Sequence, residues 1–215
     1  MSERTRVRRG AKRAVDDREQ LEAIIDECLI CHVAGQTGDC TTVLPTAHWR
    51  MGEYVYIHGH SRNGLMRQLM NGQTCCLSFT LLDGLVMAKS AFNHSMNYRS
   101  AVLFGVMEEV TGDHKEESLI AFIDHISPGR STQARMANEI ELKATMVLRI
   151  KIEEWSCKVR NAPTGDDAED QNLPVWSGVI PLQLSAREPV ADRPDGEAPS
   201  LPRFWRTEHP YPSSV

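Results

Sequence analysis

The sequence is short of three things, and each shortage excludes a class of protein. It has no surplus of positive charge: 24 lysines and arginines stand against 29 aspartates and glutamates, a formal net charge of −5. A chain that neutralises nucleic-acid phosphates needs the opposite balance on at least one face, so no nucleic-acid partner is expected. The one concentrated basic run, ERTRVRRGAKR, precedes the first periodic segment and reads as a disordered basic terminus over residues 1–15. There is no apolar run near the roughly 20 residues that cross a bilayer, and nothing at Met1 resembles the core of a secretion signal, so a cytoplasmic protein without a membrane partner is expected. Six cysteines in 215 residues are too few for a secreted disulfide framework. Cys28 and Cys31 form a CxxC, but no second ligand pair at zinc spacing accompanies them. Cys28, Ile30 and His32 alternate as at a strand entry, so buried structural thiols are expected.

What the chain has is strand alternation interrupted by short helical stretches. The stretch from Met51 to Met70, MGEYVYIHGHSRNGLMRQLM, shows both. Tyr54, Tyr56 and His58 alternate with Val55 and Ile57 until Gly59. Ser61 then suits a helix N-cap, and Leu65, Met66, Leu69 and Met70 repeat at helical spacing. Free backbone N–H groups and the positive end of a helix dipole beside Ser61 and Arg62 suit a phosphate, while an ordinary capped connection is the plainer alternative.

In chain order, DDREQLEAIIDEC predicts an amphipathic helix with Leu21, Ile24 and Ile25 on one stripe, capping one end of a sheet. Strands follow at Cys28 to Ala34 and at Cys40 to Trp49, where Pro45 requires an edge or a bulge because it has no N–H for the ladder. TCCLSFTLL and LVMAKSA read as two runs joined by a turn at Asp83 and Gly84. YRSAVLFGVMEEV reads as a long strand whose Gly105 marks a bulge or bend. Helices are expected over His114 to Ile126 and Ala137 to Lys143. The clearest alternation in the chain, TMVLRIKIEEWSCKVR, follows, and after an acidic loop, NAPTGDDAEDQNLP, one more apolar segment, VWSGVIPL. Six or seven antiparallel strands with marginal helices suggest a closed barrel. The domain is expected over residues 16–184, with an extended or disordered tail over 185–215 unless Phe204 and Trp205 dock on a neighbour.

The ordered series LPTAHWR, YVYIHGHS, LDGLVMAKSAFNHSMNYRSAVLFG, KATMVLRIKIEEWSCKVR and VWSGVIPL resembles the flavin-binding split-barrel family of pyridoxamine 5′-phosphate oxidase-like proteins. The likeness is to its flavin-nucleotide-binding branch, which includes the nitroimidazole-resistance reductases, and it runs from about Ala23 to Leu182. It implies a mainly β protein with flanking helices, built on a six-stranded antiparallel split barrel. It implies a homodimer holding FMN at the subunit interface, with FAD or haem as the alternative group, and electron transfer from NAD(P)H to a small acceptor. A flavin- or haem-binding storage or sensor protein is the other reading.

Carried over, the resemblance puts Ser61 and Arg62 at the flavin phosphate, approached by Arg99 and Ser100. Leu44, Pro45, Thr46 and Ala47 would line the isoalloxazine edge with main-chain groups, and Lys89 and Ser90 would follow the ribityl chain or ring. Trp176 would wall the neighbouring subunit's pocket or be a core aromatic. Chemistry adds to the phosphate assignment, since an arginine fork grips two oxygens and Arg99 in an apolar strand requires a partner for its charge. His58 is the candidate for a flavin-side or catalytic role. His58 and His60 share a face, but no third ligand accompanies them, so no metal is expected. PRFWRTEHP does not match the arginine-rich C-terminal motif that holds the substrate phosphate in true pyridoxamine phosphate oxidases, which argues against vitamin B6 oxidation.

Overall fold

The structure, a computed structural model, describes residues 2–193, 196 and 198–201. Along the chain these form β1 (Ala14–Val15), α1 (Arg18–Glu27), β2 (Ile30–Thr37), β3 (Cys40–Met51), β4 (Tyr54–His60), α2 (Gly64–Leu69) and β5 (Thr74–Met87). Then come β6 (Ser95–Val106), β7 (Glu108–Glu109), α3 (Asp113–Ile126), α4 (Glu139–Ala144), β8 (Thr145–Lys151), β9 (Glu154–Arg160) and β10 (Gly178–Pro181). The strands make one antiparallel sheet in the order β1-β9-β6-β5-β2-β3-β4-β8-β7, with β10 added to β5. Ten strands replace the expected six among the described residues. Three of them, β1, β7 and β10, are short edge pieces, and the single run read over 145–160 breaks into β8 and β9 at a turn.

The alternation in the strands builds two apolar layers. Inward residues Val33, Val55, Ile57, Leu77, Phe79, Leu103, Leu148 and Ile150 fill the sheet's concave side. There α1 inserts Leu21, Ile24 and Ile25, all fully buried. Burial stabilises by roughly 1.5–3 kcal/mol for each such side chain. Asp17 caps α1 by accepting from the Glu19 N–H at 3.0 Å. On the outer side Trp49, Tyr56, Val110 and Val147 form a second layer, with Phe122 of α3 packed against it.

Two glycine and turn readings change. Gly105 pairs in register with Cys75, and a Cβ there would stand 3.1 Å from the Ile150 side chain, so it marks where β6 closes on β8 rather than a bulge. The irregularity is at Asp83. β5 runs straight through it, with Leu82 opposite Tyr98 and Gly84 opposite Asn97, leaving Asp83 as the extra residue of a β-bulge rather than part of a turn.

The N-terminal segment is also corrected. Thr5 is buried, Ser2 hydrogen-bonds Glu154, Arg4 pairs with Glu154 at 3.6 Å and lies over Phe104, and Ala14 and Val15 pair with Lys158 and Cys157. The segment covers β9, which would otherwise offer an open sheet edge. Beyond residue 184 the described residues form no helix or strand, and Ser127 Oγ donates to the Ser200 carbonyl at 2.7 Å. Phe204 and Trp205 lie outside the described residues.

Candidate functional site

β3 is shared between two neighbours. Its residues 40–47 pair with β2, whereas His48 to Met51 pair with β4. β4 follows β3 only from Tyr54 to Ile57, and His58, Gly59 and His60 pair with β8 alone. The two strands therefore part at His48 and Ile57. This split leaves Leu44, Pro45, Thr46 and Ala47 with one edge unpaired among the described residues, facing the end of β4. Pro45 stands at an edge, as its missing N–H requires.

The turn after β4 carries the cationic group of the site. Ser61 N donates to the Ala144 carbonyl at 2.8 Å and Arg62 N donates to His60 Nδ1 at 3.0 Å, which fixes the turn. The helix begins one step later than expected: Asn63, not Ser61, caps α2 by accepting from the Met66 N–H at 3.1 Å. With six residues, α2 has too few aligned peptides for its dipole to hold an anion. The donors this turn offers to an anion are therefore side chains. Arg62 is exposed and forms no ion pair among the described residues, and Ser61 has its hydroxyl free among them. Gly59 is required by packing, since a Cβ would lie 2.5 Å from Met66 Sδ.

Arg99 does not join this group. Its Nε and Nη2 donate to the two Asp83 oxygens at 3.0 and 2.8 Å, and its Nη1 and Nη2 donate to the two Glu27 oxygens at 2.5 and 2.8 Å. The two carboxylates raise its pKa further above the usual arginine range. The bulge at Asp83 supplies one acceptor and the last residue of α1 the other, so the guanidinium ties α1 to the β5–β6 pair. Arg99 shares the inward parity of Ala101 and Leu103, whereas Ser100 points to the opposite face with Thr80 and Lys158 as cross-strand neighbours. The fork expected at the flavin phosphate thus holds two carboxylates of the chain in this structure.

Lys89 and Ser90 are organised by the acidic loop. Asp166 Oδ1 accepts from the backbone N–H groups of Lys89 and Ser90 at 2.8 and 3.3 Å, and Lys89 Nζ donates to the Leu173 carbonyl at 2.6 Å. Trp176 is 64% exposed, and its ring lies over Gly178, where a Cβ would be 2.9 Å away. It is neither a core aromatic nor covered within the subunit.

His58 sits beside the split on the outer layer, 4.6 Å from Phe122 and 5.7 Å from Trp49 between ring centroids. Burial lowers its pKa, so the ring is neutral at neutral pH, and its Nδ1 is buried without a hydrogen-bond partner. His48 is fully enclosed against Ile25 and Phe79, with its pKa lowered to about 4 by burial. Burial pushes the Cys28 and Cys31 thiols up to about 11 and about 12, which leaves the CxxC inert toward thiolate chemistry. Among the described residues no cluster of three or more histidine, cysteine, aspartate or glutamate side chains could hold a metal ion.

Sequence reasoning missed Asp166, Glu27 and Asp83. Asp83 was hidden because DG between apolar runs signals a turn as strongly as a bulge. Asp166 lies in a loop whose composition carries no periodicity.

A curved antiparallel sheet, plugged by one helix and split along a shared strand, defines a flavin-binding split barrel of the pyridoxamine 5′-phosphate oxidase type. The chain matches the sequence model of the pyridoxamine 5′-phosphate oxidase family over residues 17–159 and belongs to that family. Among solved structures it is similar to the flavocytochrome Anf3 from Azotobacter vinelandii, at 38% identity over 95% of each chain with a TM-score of 0.85. It is also similar to the FAD- and haem-binding protein from Mycobacterium smegmatis, at 32% identity over 90% of this chain and 96% of that one, TM-score 0.82. A candidate 5-nitroimidazole antibiotic resistance protein from Bacteroides thetaiotaomicron shares the fold, at 19% identity over 68% of this chain and 86% of that one, TM-score 0.57. A search of curated proteins finds no match. No helix among the described residues is long and apolar enough to cross a membrane.

Proposed function

We propose that the protein is a cytoplasmic flavin-dependent oxidoreductase that binds a flavin nucleotide in the split between β3 and β4 and passes electrons from a reduced nicotinamide to a small acceptor. The observation that carries this reading is the parting of β3 from β4. It exposes main-chain donors and acceptors from Leu44 to Ala47 opposite a turn whose Arg62 forms no ion pair among the described residues. These groups fit a flavin nucleotide in kind. The free strand edge suits the alternating donors and acceptors on the polar rim of the ring. Arg62 and Ser61 offer charge-assisted donors to a phosphate. His58, kept neutral by burial, can accept or hold a proton at Nδ1. When bound, the flavin supplies the two-electron chemistry, and the chain supplies orientation and electrostatics.

A homodimer belongs to this reading. Ile30, directly opposite Ala47, and Val43, farther along the same face of β3, are 54% and 56% exposed, and a second copy would cover them along with Trp176.

Haem as a second bound group is favoured by one specific finding: the structures 38% and 32% identical to this chain are named for a flavocytochrome and an FAD- and haem-binding protein. A neutral imidazole with an unpartnered nitrogen, such as His58, is a suitable iron ligand.

The test is the absorption spectrum of the purified protein under anaerobic conditions. Flavin bands that bleach on adding NADH or NADPH support the electron-transfer reading, and a Soret band supports haem. Flavin bands that persist through the addition would leave a storage or sensing role. A colourless protein that fails to quench added FMN or FAD would overturn the flavin site.

A further inference from the structure

The segment ahead of α1 carries the opposite charge to the rest of the molecule. Arg4, Arg6, Arg8, Arg9, Lys12 and Arg13 stand against Glu3 alone, a surplus of five positive charges, so a whole-chain charge of −5 leaves −10 on the remainder. A run of like charge repels itself and is normally solvated and without fixed structure. Here it is held in place. Thr5 is buried, and its hydroxyl donates to the Ser2 carbonyl at 3.2 Å and accepts from the Ser2 N–H at 3.0 Å. Ser2 Oγ donates to Glu154, and the Arg4 guanidinium lies 5.6 Å from the centroid of the Phe104 ring. Gly10, at φ 70°, turns the chain, Arg13 N donates to the Gly10 carbonyl at 2.9 Å, and Lys158 Nζ donates to the Arg9 carbonyl at 3.4 Å. Ala14 and Val15 then join β9.

This ordering presents the cations instead of neutralising them. Arg4 pairs with Glu154 at 3.6 Å and Arg8 pairs with Glu3. Arg6, Arg9, Lys12 and Arg13 are exposed and form no ion pair among the described residues. Covering the edge of β9 requires the backbone of the segment and Thr5, and neutral side chains at those four positions would cover it equally well, with less repulsion between neighbours.

We propose that this edge is a docking surface for an acidic protein, whose carboxylates meet Arg6, Arg9, Lys12 and Arg13 in charge-assisted contacts. Extent decides among the polyanions that share this chemistry. At physiological ionic strength exposed charges act over about 8 Å, so a compact protein that touches only the edge meets only the cations. A nucleic-acid strand or an anionic bilayer extends past the edge and meets a remainder that carries −10. A bilayer also calls for apolar side chains that insert beside the cations, and Val7, the one large apolar residue between Ser2 and Arg13, is half-buried. A patch of this size suits an electrostatically steered encounter that forms and separates quickly, not a permanent complex. The surface stands apart from the flavin reading and does not depend on it.

The test is titration of the purified full chain with a fluorescein-labelled hexaglutamate peptide, read by fluorescence anisotropy. Two extended polyanions, an oligothymidylate and phosphatidylglycerol vesicles, are titrated in parallel. The peptide is expected to bind wild type, and to bind about tenfold or more weakly when salt shortens the screening length from about 10 Å at 0.1 M to about 3 Å at 1 M. Arg6→Glu, Arg9→Glu, Lys12→Glu and Arg13→Glu together should abolish binding and leave the thermal midpoint unchanged, because none of these four side chains anchors the segment. Should that variant fail to fold, changing the same four residues to Gln removes the charge without adding repulsion, with the same loss of binding expected. No peptide binding to wild type, or equal affinity in wild type and a folded variant, overturns the proposal. Tighter binding of the oligothymidylate or of the vesicles than of the peptide overturns it too, in favour of a nucleic acid or a membrane.

Discussion

Replacing Arg99 with alanine separates two roles that the same residue type supports. In the structure the guanidinium cross-links Glu27 at the end of α1 to Asp83 in the β5 bulge through four hydrogen bonds of 2.5–3.0 Å. Side-chain exposure is 18% for Arg99, 13% for Asp83 and 30% for Glu27. Removing one member of a buried ionic group costs about 3–5 kcal/mol, because the remaining charges lose their partner without regaining water. Glu27 is open enough to solvent to recover part of its hydration, which places the expected loss near the lower end, at about 3 kcal/mol. The measurement is urea unfolding of the cofactor-free protein, read as a lower midpoint at constant m-value. Asp83→Asn and the double variant complete a cycle, and a coupling energy near zero would show that the cross-link is absent in solution. A parallel titration with FMN and riboflavin tests the opposite view. Should Arg99→Ala unfold within about 0.5 kcal/mol of wild type, the size of an ordinary surface change, while losing affinity for FMN but not riboflavin, the residue is a phosphate ligand and the cross-link reading fails.

Arg62→Ala should weaken FMN binding by about tenfold to a hundredfold, the equivalent of one charge-assisted interaction of roughly 1.5–3 kcal/mol, and leave riboflavin unaffected in a fluorescence titration. His48 carries its depressed pKa from burial, so the unfolded chain takes up a proton before the folded one does. Its contribution is whole above the unfolded value near 6.5 and is lost as pH falls toward about 4. The drop is on the order of 3 kcal/mol, and unfolding curves for His48→Gln should be flatter across that window. Pyridoxamine 5′-phosphate is expected not to be oxidised, because PRFWRTEHP does not match the arginine-rich motif that would hold its phosphate; peroxide production from that substrate in a coupled assay would refute this.

The fold was legible in the sequence wherever one periodicity acted alone. The stripe Leu21, Ile24, Ile25 and the alternation from Met146 to Ile150 identify a core helix and a core strand, and both lie where that pattern places them. Legibility failed where two devices share a signature. A DG pair between apolar runs marks a hairpin turn and a bulge equally well, and only the partner strand decides between them. An arginine in an apolar strand announces that its charge has a partner, but whether that partner is a carboxylate of the chain or a phosphate from outside depends on acidic residues 16 and 72 positions away in sequence. The same limit applies to Asp166, which organises Lys89 and Ser90 from across the acidic loop.

The split itself explains why the candidate site is only half legible. A strand that changes neighbours must leave an edge bare on each side of the change, and β3 does so at His48, the enclosed residue that anchors it to α1 through the Ile25 carbonyl at 2.8 Å. What the bare edge from Leu44 to Ala47 offers a ligand is backbone, which almost any side chains would present equally well. Pro45 is informative only because it forfeits a donor that a paired edge would have needed. On the opposite bank, what Ser61 and Arg62 offer a ligand is side chains, which are open to sequence reasoning, with Gly59 admitting Met66 beneath them. A double substitution of Leu44 and Thr46 should thus disturb flavin affinity less than the single change at Arg62, because the former alters groups that line the edge and the latter removes the charge that faces it.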